Sequence, residues 1–500
     1  MAPVLLAVVP ILALWAGNFL ETTPAEAVPP LLAAAATGLF AWLAAGRWLR
    51  SAAAASLLAS AAVVALWLWS PLAGALVPWL GEGRAAGAVA GAVLLVVVTG
   101  LAWALPRSSH GYLATGVLFT ACVLFAFSAI RLAAAFATMP RDAAPLEVAP
   151  VVEAPQAAAD DPDIYWIVLD AFGRADVLRR TYGLEEGLAD ALARLGFYVA
   201  ERSAANYTTT LHSIPATLNL DYVQRLIPAP RPTAAPLLGL VRDSALVRRL
   251  RLRGYTWIAY SSGYASTDVK GADLVIAPPV PLSRWQAHLV ERSPLGWLGD
   301  DLPWSSPYRA HRRRILHALE TLPDVARDPR PTFTFVHLLS PHHPFVFGED
   351  GEDVSRTDRP FRFNDGGTGG RPTPPGEVNQ EYVRGYRAQA RFLGRRVAET
   401  VAEILSASPR PPIIVIQGDH GPNSHWPGMD PAERLPILNA LYLPAGGAAR
   451  LYPEISPVNT FRVILAFYFG EPLELLPDEH YVSSYEQPYR FQRVSLEAAD

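Results

Sequence analysis

Asp163-Ile164-Tyr165-Trp166-Ile167-Val168-Leu169-Asp170 is the stretch on which the fold turns: six apolar or aromatic residues in a row, bounded at each end by a carboxylate. A run this short, rich in β-branched and aromatic residues, reads as a strand buried on both faces rather than as a helix. Three further runs have the same character, at 255–260, 332–339 and 412–421. Helical patterns separate them over 184–195, 236–252, 307–321 and 380–407. Strands alternating with helices predict an α/β domain around a central, mostly parallel sheet. Ligands of such sheets sit beyond the carboxyl ends of the strands. Asp170, His337 and the pair Asp419-His420 all fall at that edge.

Working outward, the composition changes abruptly. The chain has 500 residues, 51% hydrophobic and 18% charged. From Met1 to Met139 there are five arginines (47, 50, 84, 107, 131) and three acids (Glu21, Glu26, Glu82), so the remaining 361 residues carry 80 of the 88 charged side chains. Apolar stretches run approximately over 3–20, 29–46, 52–80, 85–105 and 112–130, each near the ~20 residues that span a bilayer. They predict a transmembrane domain of about five helices over 1–138. The third is expected to end near Trp69, because Ser70-Pro71 and Pro78 interrupt it. Basic loops at Arg47, Arg50 and Arg107, against the acidic Glu21 and Glu26, put the N-terminus in the cytoplasm and everything after residue 139 outside. No charged residue is evident in the middle of a span, which favours an anchor over a transporter or proton path.

Residues 139–162 read as a Pro- and Ala-rich linker, and 163–500 as an extracytoplasmic domain with a surface loop or lid at 349–376. A net charge of −4 offers no basic field for nucleic acid. Cys122 is the only cysteine, so no intrachain disulfide forms.

The strand ends suggest chemistry. A strand-terminal Asp often only caps the next helix, and Asp-His-Gly is a common turn. Three apolar strands ending in Asp, His and Asp-His are harder to read that way. Carboxylate and imidazole together suit a divalent ion such as Zn²⁺ or Mn²⁺, which would lower the pKa of a coordinated hydroxyl. The segment Asn206-Tyr207-Thr208-Thr209-Thr210-Leu211-His212-Ser213 supplies hydroxyls at an expected helix start. It is either an N-cap cluster or the home of an alkoxide nucleophile, where the helix N-terminus also favours an anionic substrate.

The order Asp170, Thr cluster, His-rich segment, Gly418-Asp419-His420-Gly421 resembles the alkaline phosphatase superfamily. Within it the likeness is to the sulfatase-like membrane transferases, which include lipoteichoic acid synthases and lipid A phosphoethanolamine transferases. The resemblance covers roughly 163–470 and implies an alkaline-phosphatase-like α/β domain. It implies Asp170, Asp419 and His420 as metal ligands, with Thr210 as nucleophile and further ligand, and Thr209 and Thr208 as fallbacks. His337-Leu-Leu-Ser-Pro-His342-His343 resembles the segment whose histidine binds the substrate phosphate, and His425 resembles another substrate-contacting histidine. Arg434 is the candidate anion clamp, with a solvated structural arginine as the plain alternative. Asp170 stands where these transferases typically show Glu. The sulfatase Cys/Ser-x-Pro-x-Arg context is lacking, which argues against sulfate-ester hydrolysis.

What the resemblance implies is a bacterial inner-membrane enzyme with one divalent cation (Zn²⁺, Mn²⁺ or Mg²⁺). The histidines offer donors for a second ion, but no second carboxylate pairs with them. The expected reaction moves a phosphoethanolamine- or phosphoglycerol-type group from a membrane phospholipid to an envelope glycan or glycolipid through phosphothreonine. A membrane-anchored phosphodiesterase or phosphatase uses the same intermediate with water as acceptor. A non-catalytic scaffold would predict missing ligands.

Overall fold

The computed structural model describes residues 1–19, 22–80, 84–104, 106–137, 161–228, 233–269, 271–279, 282–295, 306–355, 363 and 372–496. The expected linker, apart from its last two residues, and most of the expected lid lie outside the described residues. The chain forms two compact units, Met1–Asp142 with Val280–Ala310, and Ala143–Pro279 with His311–Asp500.

In the first unit the apolar stretches become helices Ala2–Gly17, Pro24–Trp48, Ala52–Leu80, Arg84–Ala104 and His110–Ala137. Among the described residues, three segments can cross a membrane by length and composition, Pro24–Trp48, Ala52–Leu76 and Arg107–Ala137, while Ala2–Gly17 and Ala86–Gly100 are shorter apolar helices. The third helix does not stop near Trp69 but runs unbroken through Ser70-Pro71 to Leu80. A proline removes one N–H and crowds one carbonyl, which a long apolar helix absorbs more readily than a full break that would free several backbone groups without water. Thr23 caps the second helix in a reciprocal box, its backbone N–H donating to Glu26 Oε2 at 2.7 Å while its hydroxyl accepts from the Glu26 N–H at 3.4 Å. Gly38 permits a close crossing, since a Cβ there would stand 2.6 Å from the Pro3 carbonyl oxygen.

Residues 280–310 join this unit although they lie inside the stretch assigned by sequence to the external domain. The short helix Arg284–Glu291 is capped by Ser283 and Gln286. It lays Trp285 against Leu12, Trp15 and Ala27, and Gln286 Nε2 donates to the Glu26 carbonyl at 2.9 Å.

The second unit is built on a seven-stranded sheet. Its strands are β1 (Ile164–Leu169), β2 (Tyr198–Val199), β3 (Thr256–Tyr260), β4 (Leu274–Ile276), β5 (Thr332–Leu338), β6 (Ile413–Gly418) and β7 (Asn439–Tyr442), ordered β2-β7-β6-β1-β5-β3-β4. The five strands from β6 to β4 are parallel, and β7 is antiparallel to both its neighbours. The four strands expected from sequence are thus present, with β1 at the centre. Every β1 residue is buried. Ile164, Trp166 and Val168 pack into one large cluster with Phe333, Phe335, Ile413, Val415, Ile214 and Phe461. Burial of each such large side chain stabilises the fold by roughly 1.5–3 kcal/mol.

Of the expected helices, one is shortened and one is divided. Within 184–195 the helix covers only Leu188–Arg194, after Ala175–Tyr182 has ended on Gly183 in the left-handed region (φ 64°). The span 236–252 splits into Ala235–Arg242 and Ala245–Leu252, because the Ser244 hydroxyl accepts from the Val247 N–H and starts a new helix. Helices Pro307–Thr321 and Gln380–Ala407 match their patterns.

At the opposite end of the sheet from the strand carboxyl termini, Asp163 ties three strands together. Its Oδ1 accepts from the Thr332 N–H and hydroxyl, each at 2.9 Å, and its carbonyl accepts from the Ile413 N–H at 2.8 Å. Asp163→Ala leaves the buried Thr332 N–H unsatisfied and is expected to cost about 1–3 kcal/mol. Thermal unfolding of the detergent-solubilised chain checks this, and an unchanged midpoint would contradict it.

Candidate active site

Register places the strand-end residues before any side chain is considered. Leu169 pairs with Leu338 on one side and Gly418 on the other, and Val168 pairs with His337. Asp170 is therefore level with Asp419 and shares a sheet face with His337. The chain then turns sharply. Ala171 has φ 64°, a left-handed conformation disfavoured for a residue with a Cβ. It is held there by its N–H donating to Asp419 Oδ1 at 3.1 Å and its carbonyl accepting from the Tyr386 hydroxyl at 2.8 Å. Strain of this kind concentrates at functional sites. Both glycines of Gly418-Asp419-His420-Gly421 are required by close approach: a Cβ would stand 2.4 Å from the Phe172 carbonyl oxygen at Gly418 and 2.4 Å from the Glu433 carbonyl oxygen at Gly421.

Thr210 is the first residue of helix Thr210–Asn219, whose N-cap is Thr209. Its hydroxyl lies 3.2 Å from His420 Nε2. The neighbouring hydroxyls are engaged elsewhere. Thr208 Oγ1 donates to the Ser483 carbonyl at 2.9 Å, and Thr209 Oγ1 meets His212 Nδ1 at 2.6 Å. Of the three threonines, Thr210 is the one aimed at the strand ends.

The electrostatics of the cluster are severe. Burial pushes Asp170 up to about 7, and Arg434 pulls it down only in part. Burial, reinforced by repulsion from Asp170, does the same to Asp419, also to about 7. The histidines move the other way: burial lowers His337 to about 3, and holds His420 and His343 well below their ordinary range. The result is two acids poised near neutrality among imidazoles that stay uncharged. Asp170 Oδ1, Asp419 Oδ2 and His337 Nε2 are buried with no hydrogen-bond partner, and one donor atom from each of these three residues lies within 4.8 Å of the others. Orphaned donors of this kind fit a divalent cation, which would offset the carboxylate charge. The hydrogen bonds favour the required ring orientations. His420 Nδ1 lies 3.1 Å from the Gly421 carbonyl, which can only accept, so its Nε2 carries the lone pair; His337 Nδ1 lies 2.7 Å from Thr267 Oγ1, which fixes the ring with Nε2 towards the cluster.

The sequence-based candidates do not all fall together. His337, expected to bind substrate, stands among the ion-type donors. His420 Nε2 sits beside them, 3.4 Å from Asp419 Oδ2 and 3.7 Å from Asp170 Oδ1. Arg434 is structural as well as electrostatic: its guanidinium donates to the Thr208 carbonyl (2.9 Å), the Gly421 carbonyl (2.8 Å) and His420 Nε2 (3.0 Å). His342 is half-buried, its ring 6.2 Å from that of His420 and stacked on His343. His343 is buried against Phe345 and Tyr382. His425 Nδ1 is paired with Glu433 at 2.9 Å.

Sequence reasoning missed four contributors. Thr267 orients His337. Glu433 holds His425, the Ser424 hydroxyl and the Tyr182 hydroxyl. Tyr485 lies in the segment between Ser483, held by Thr208, and Pro488, held by His212, with 47% of the residue exposed. Tyr264 donates to that phenol at 3.1 Å. Glu433 adjoins the expected Arg434 and was the most findable; nothing local to Tyr485 or Tyr264 marks them.

No family model matches the chain, and no curated protein does. Among solved structures the chain is similar to the C-terminal periplasmic domain of EptC from Escherichia coli, at 13% identity over 68% of this chain and 96% of that one, with a TM-score of 0.43. It is similar to the integral membrane protein lipooligosaccharide phosphoethanolamine transferase A from Neisseria meningitidis, at 11% identity over 94% and 95% of the two chains, with a TM-score of 0.40. A protein in the alkaline phosphatase superfamily from Vibrio parahaemolyticus gives 13% identity over 69% and 78%, with a TM-score of 0.38. At these scores the functional reading rests on the residues themselves.

The acid groups make a pH test with a definite sign. Without a cation, Asp170 and Asp419 retain protons that the unfolded chain releases near 3.8. Their contribution to stability is thus present below about pH 4 and lost as pH rises towards about 7. A cation needs them ionised, so its effect grows in the opposite direction. Zn²⁺ or Mn²⁺ is expected to raise the thermal midpoint more at about pH 8 than at about pH 5.5, and Asp170→Asn to remove the increment. Equal shifts at both pH values, or a shift that survives the substitution, would contradict the site.

Proposed function

We propose that this chain is a metal-dependent phosphotransferase that moves a phospho-substituent, of phosphoethanolamine or phosphoglycerol type, from a membrane phospholipid to an envelope glycan or glycolipid. The observation that carries the reading is the Thr210 hydroxyl, which alone of the three threonines is directed from a helix N-terminus at His420, 3.2 Å away and beside Asp170, Asp419 and His337. The order of the motifs, similar to that of the sulfatase-like membrane transferases, supports the same reaction class.

Asp170, His337 and Asp419 would hold the cation, with His420 and Thr210 beside them. When bound it supplies positive charge that favours the alkoxide form of a hydroxyl and offsets charge on phosphorus. Thr210 attacks the phosphodiester of the donor lipid. Free N–H groups of the first helical turn and the Arg434 guanidinium stabilise the phosphoryl oxygens. His342, half-buried and next to His420, protonates the departing lipid alcohol. An acceptor hydroxyl then takes the phospho-substituent from Thr210. Holding the nucleophile and acid in place converts an encounter into an intramolecular reaction.

The apolar helices supply the tether. Read as five spans with a cytoplasmic N-terminus, they put the α/β unit on the outer side of a bacterial inner membrane, in the bilayer from which the donor is drawn.

Purified full-length chain incubated with Mn²⁺ or Zn²⁺ and a head-group-labelled phospholipid is expected to acquire a labelled adduct on Thr210 and to pass the label to a glycolipid acceptor. Thr210→Ala is expected to lose both, a drop in rate of at least about 10³-fold. Full activity in that variant would overturn the nucleophile assignment. Release of free head-group phosphate in place of labelled glycolipid would make the enzyme a hydrolase.

A further inference from the structure

Two short strands near the C-terminus, His480–Val482 and Gln492–Val494, pair antiparallel, and Tyr485 lies in the segment between them. The residues around Thr210 hold this hairpin. Thr208 Oγ1 donates to the Ser483 carbonyl and accepts from the Ser483 N–H, both at 2.9 Å. His212 Nε2 meets the Pro488 carbonyl and its Nδ1 meets the Thr209 hydroxyl, each at 2.6 Å. Tyr207 stacks on Tyr481, with ring centroids 5.7 Å apart. Tyr485 is thus carried next to an anchor, Ser483, on the same short segment that presents Thr210.

A second tyrosine reaches it from the His337 side. Tyr264 follows β3, and its hydroxyl donates to the Tyr485 hydroxyl at 3.1 Å. The Tyr264 N–H donates to Ser262 Oγ at 3.1 Å, Ser262 Oγ lies 3.0 Å from Thr267 Oγ1, and Thr267 Oγ1 lies 2.7 Å from His337 Nδ1. Phe363 meets the Tyr264 ring edge-on, with centroids 5.7 Å apart. These contacts close a circuit. It runs from His337 in the cation cluster through Thr267, Ser262 and Tyr264 to Tyr485, and returns through Ser483, Thr208 and Thr210 to His420. Thr267, Ser262, Ser483, Thr208, Thr210 and His337 are all buried, whereas Tyr264 is half-buried and Tyr485 is exposed. The two phenols are where the circuit meets solvent, so they form a rim of the site.

We propose that Tyr264 and Tyr485 are a sugar-binding platform that takes up the acceptor glycan at this rim. The proposal rests on the reading of the chain as a transferase to a glycan or glycolipid. A sugar presents an apolar C–H face and an edge of hydroxyls. A tyrosine matches both, with a flat ring and a phenol that donates and accepts. The hairpin tip, Ser483-Ser484-Tyr485-Glu486-Gln487, adds hydrogen-bonding side chains, whereas an acyl chain needs apolar walls that this tip does not supply. Neither phenol is charged at neutral pH, so selection is by shape and hydroxyl pattern. Both segments are anchored before a ligand arrives, and little freedom is lost on binding.

The full-length chain with Mn²⁺ or Zn²⁺, head-group-labelled phospholipid and total glycolipid extracted from a bacterial envelope gives two readouts. One is release of lipid alcohol and the other is label on glycolipid. Tyr485→Leu removes the ring from an exposed position. It is expected to raise the glycolipid concentration for half-maximal transfer about 10-fold, the weight of one lost aromatic contact. The donor KM and the first equivalent of lipid alcohol are expected to stay near their wild-type values. Tyr264→Leu is expected to act in the same way, and Tyr485→Phe, which keeps the ring, to shift the half-maximal concentration only about 2- to 3-fold. An unchanged glycolipid dependence in both Leu variants would overturn the platform. A rise in the donor KM instead would overturn it too, by assigning the rim to the phospholipid, as would an equal loss of both readouts, by making the tyrosines merely structural. A wild-type chain that labels no glycolipid would overturn the transferase reading, and this proposal with it.

Discussion

Two carboxylates buried side by side at the end of a parallel sheet set the terms for the rest of the α/β unit. Asp170 and Asp419 are level in register; each resists ionisation because water is excluded, and Asp170 adds repulsion at Asp419. Two adjacent buried negative charges are not tolerated without compensation. The neutral imidazoles of His337 and His420, the guanidinium of Arg434 and the orphaned oxygen and nitrogen atoms pointing inward are all arranged around that one constraint. It also accounts for the local backbone. Ala171 is held in a left-handed conformation, and Gly418 and Gly421 are kept free of a Cβ, because the two strand ends approach too closely for the usual geometry.

Thr210 is placed by a second layer of interactions that has little to do with charge. Thr208, Thr209, Tyr207 and His212 grip the C-terminal hairpin, and Asn206 adds a donation from the Val458 N–H to its Oδ1 at 2.9 Å. The helix that starts at Thr210 packs Ile214 and Leu218 into the same cluster as Trp166 and Phe461. Thr210 therefore inherits its position from the sheet core on one side and from the chain terminus on the other. Such support is what allows a flexible hydroxyl to be held within reach of a reacting centre.

Much of this was legible because parallel sheets write their function at one edge. Apolar runs ending in Asp170, His337 and Asp419-His420 needed no partner information: strand period and the carboxyl-end rule brought them together. The threonine cluster was visible too, but three adjacent hydroxyls are equivalent in sequence, and only the hairpin's claim on Thr208 and Thr209 separates them. β7 was missed because four residues starting with a buried Asn carry no alternation, and that Asn is satisfied by Ser203 and the Ile455 carbonyl, distant in sequence. Residues 280–310 group with the apolar helices, which sequence does not reveal, since about two turns of amphipathic helix look the same whether Trp285 packs on a sheet or on apolar helices.

The central claim is that Asp170, His337 and Asp419 form a cation site against which Thr210 is activated. Anomalous diffraction at the zinc or manganese edge, from crystals of the full-length protein grown with that ion, tests it most directly. The account predicts a peak bounded by the Asp170 and Asp419 carboxylates and His337 Nε2, in contact with the Thr210 oxygen. An ion-saturated crystal with no peak among those side chains, or with its only peak elsewhere, would contradict it.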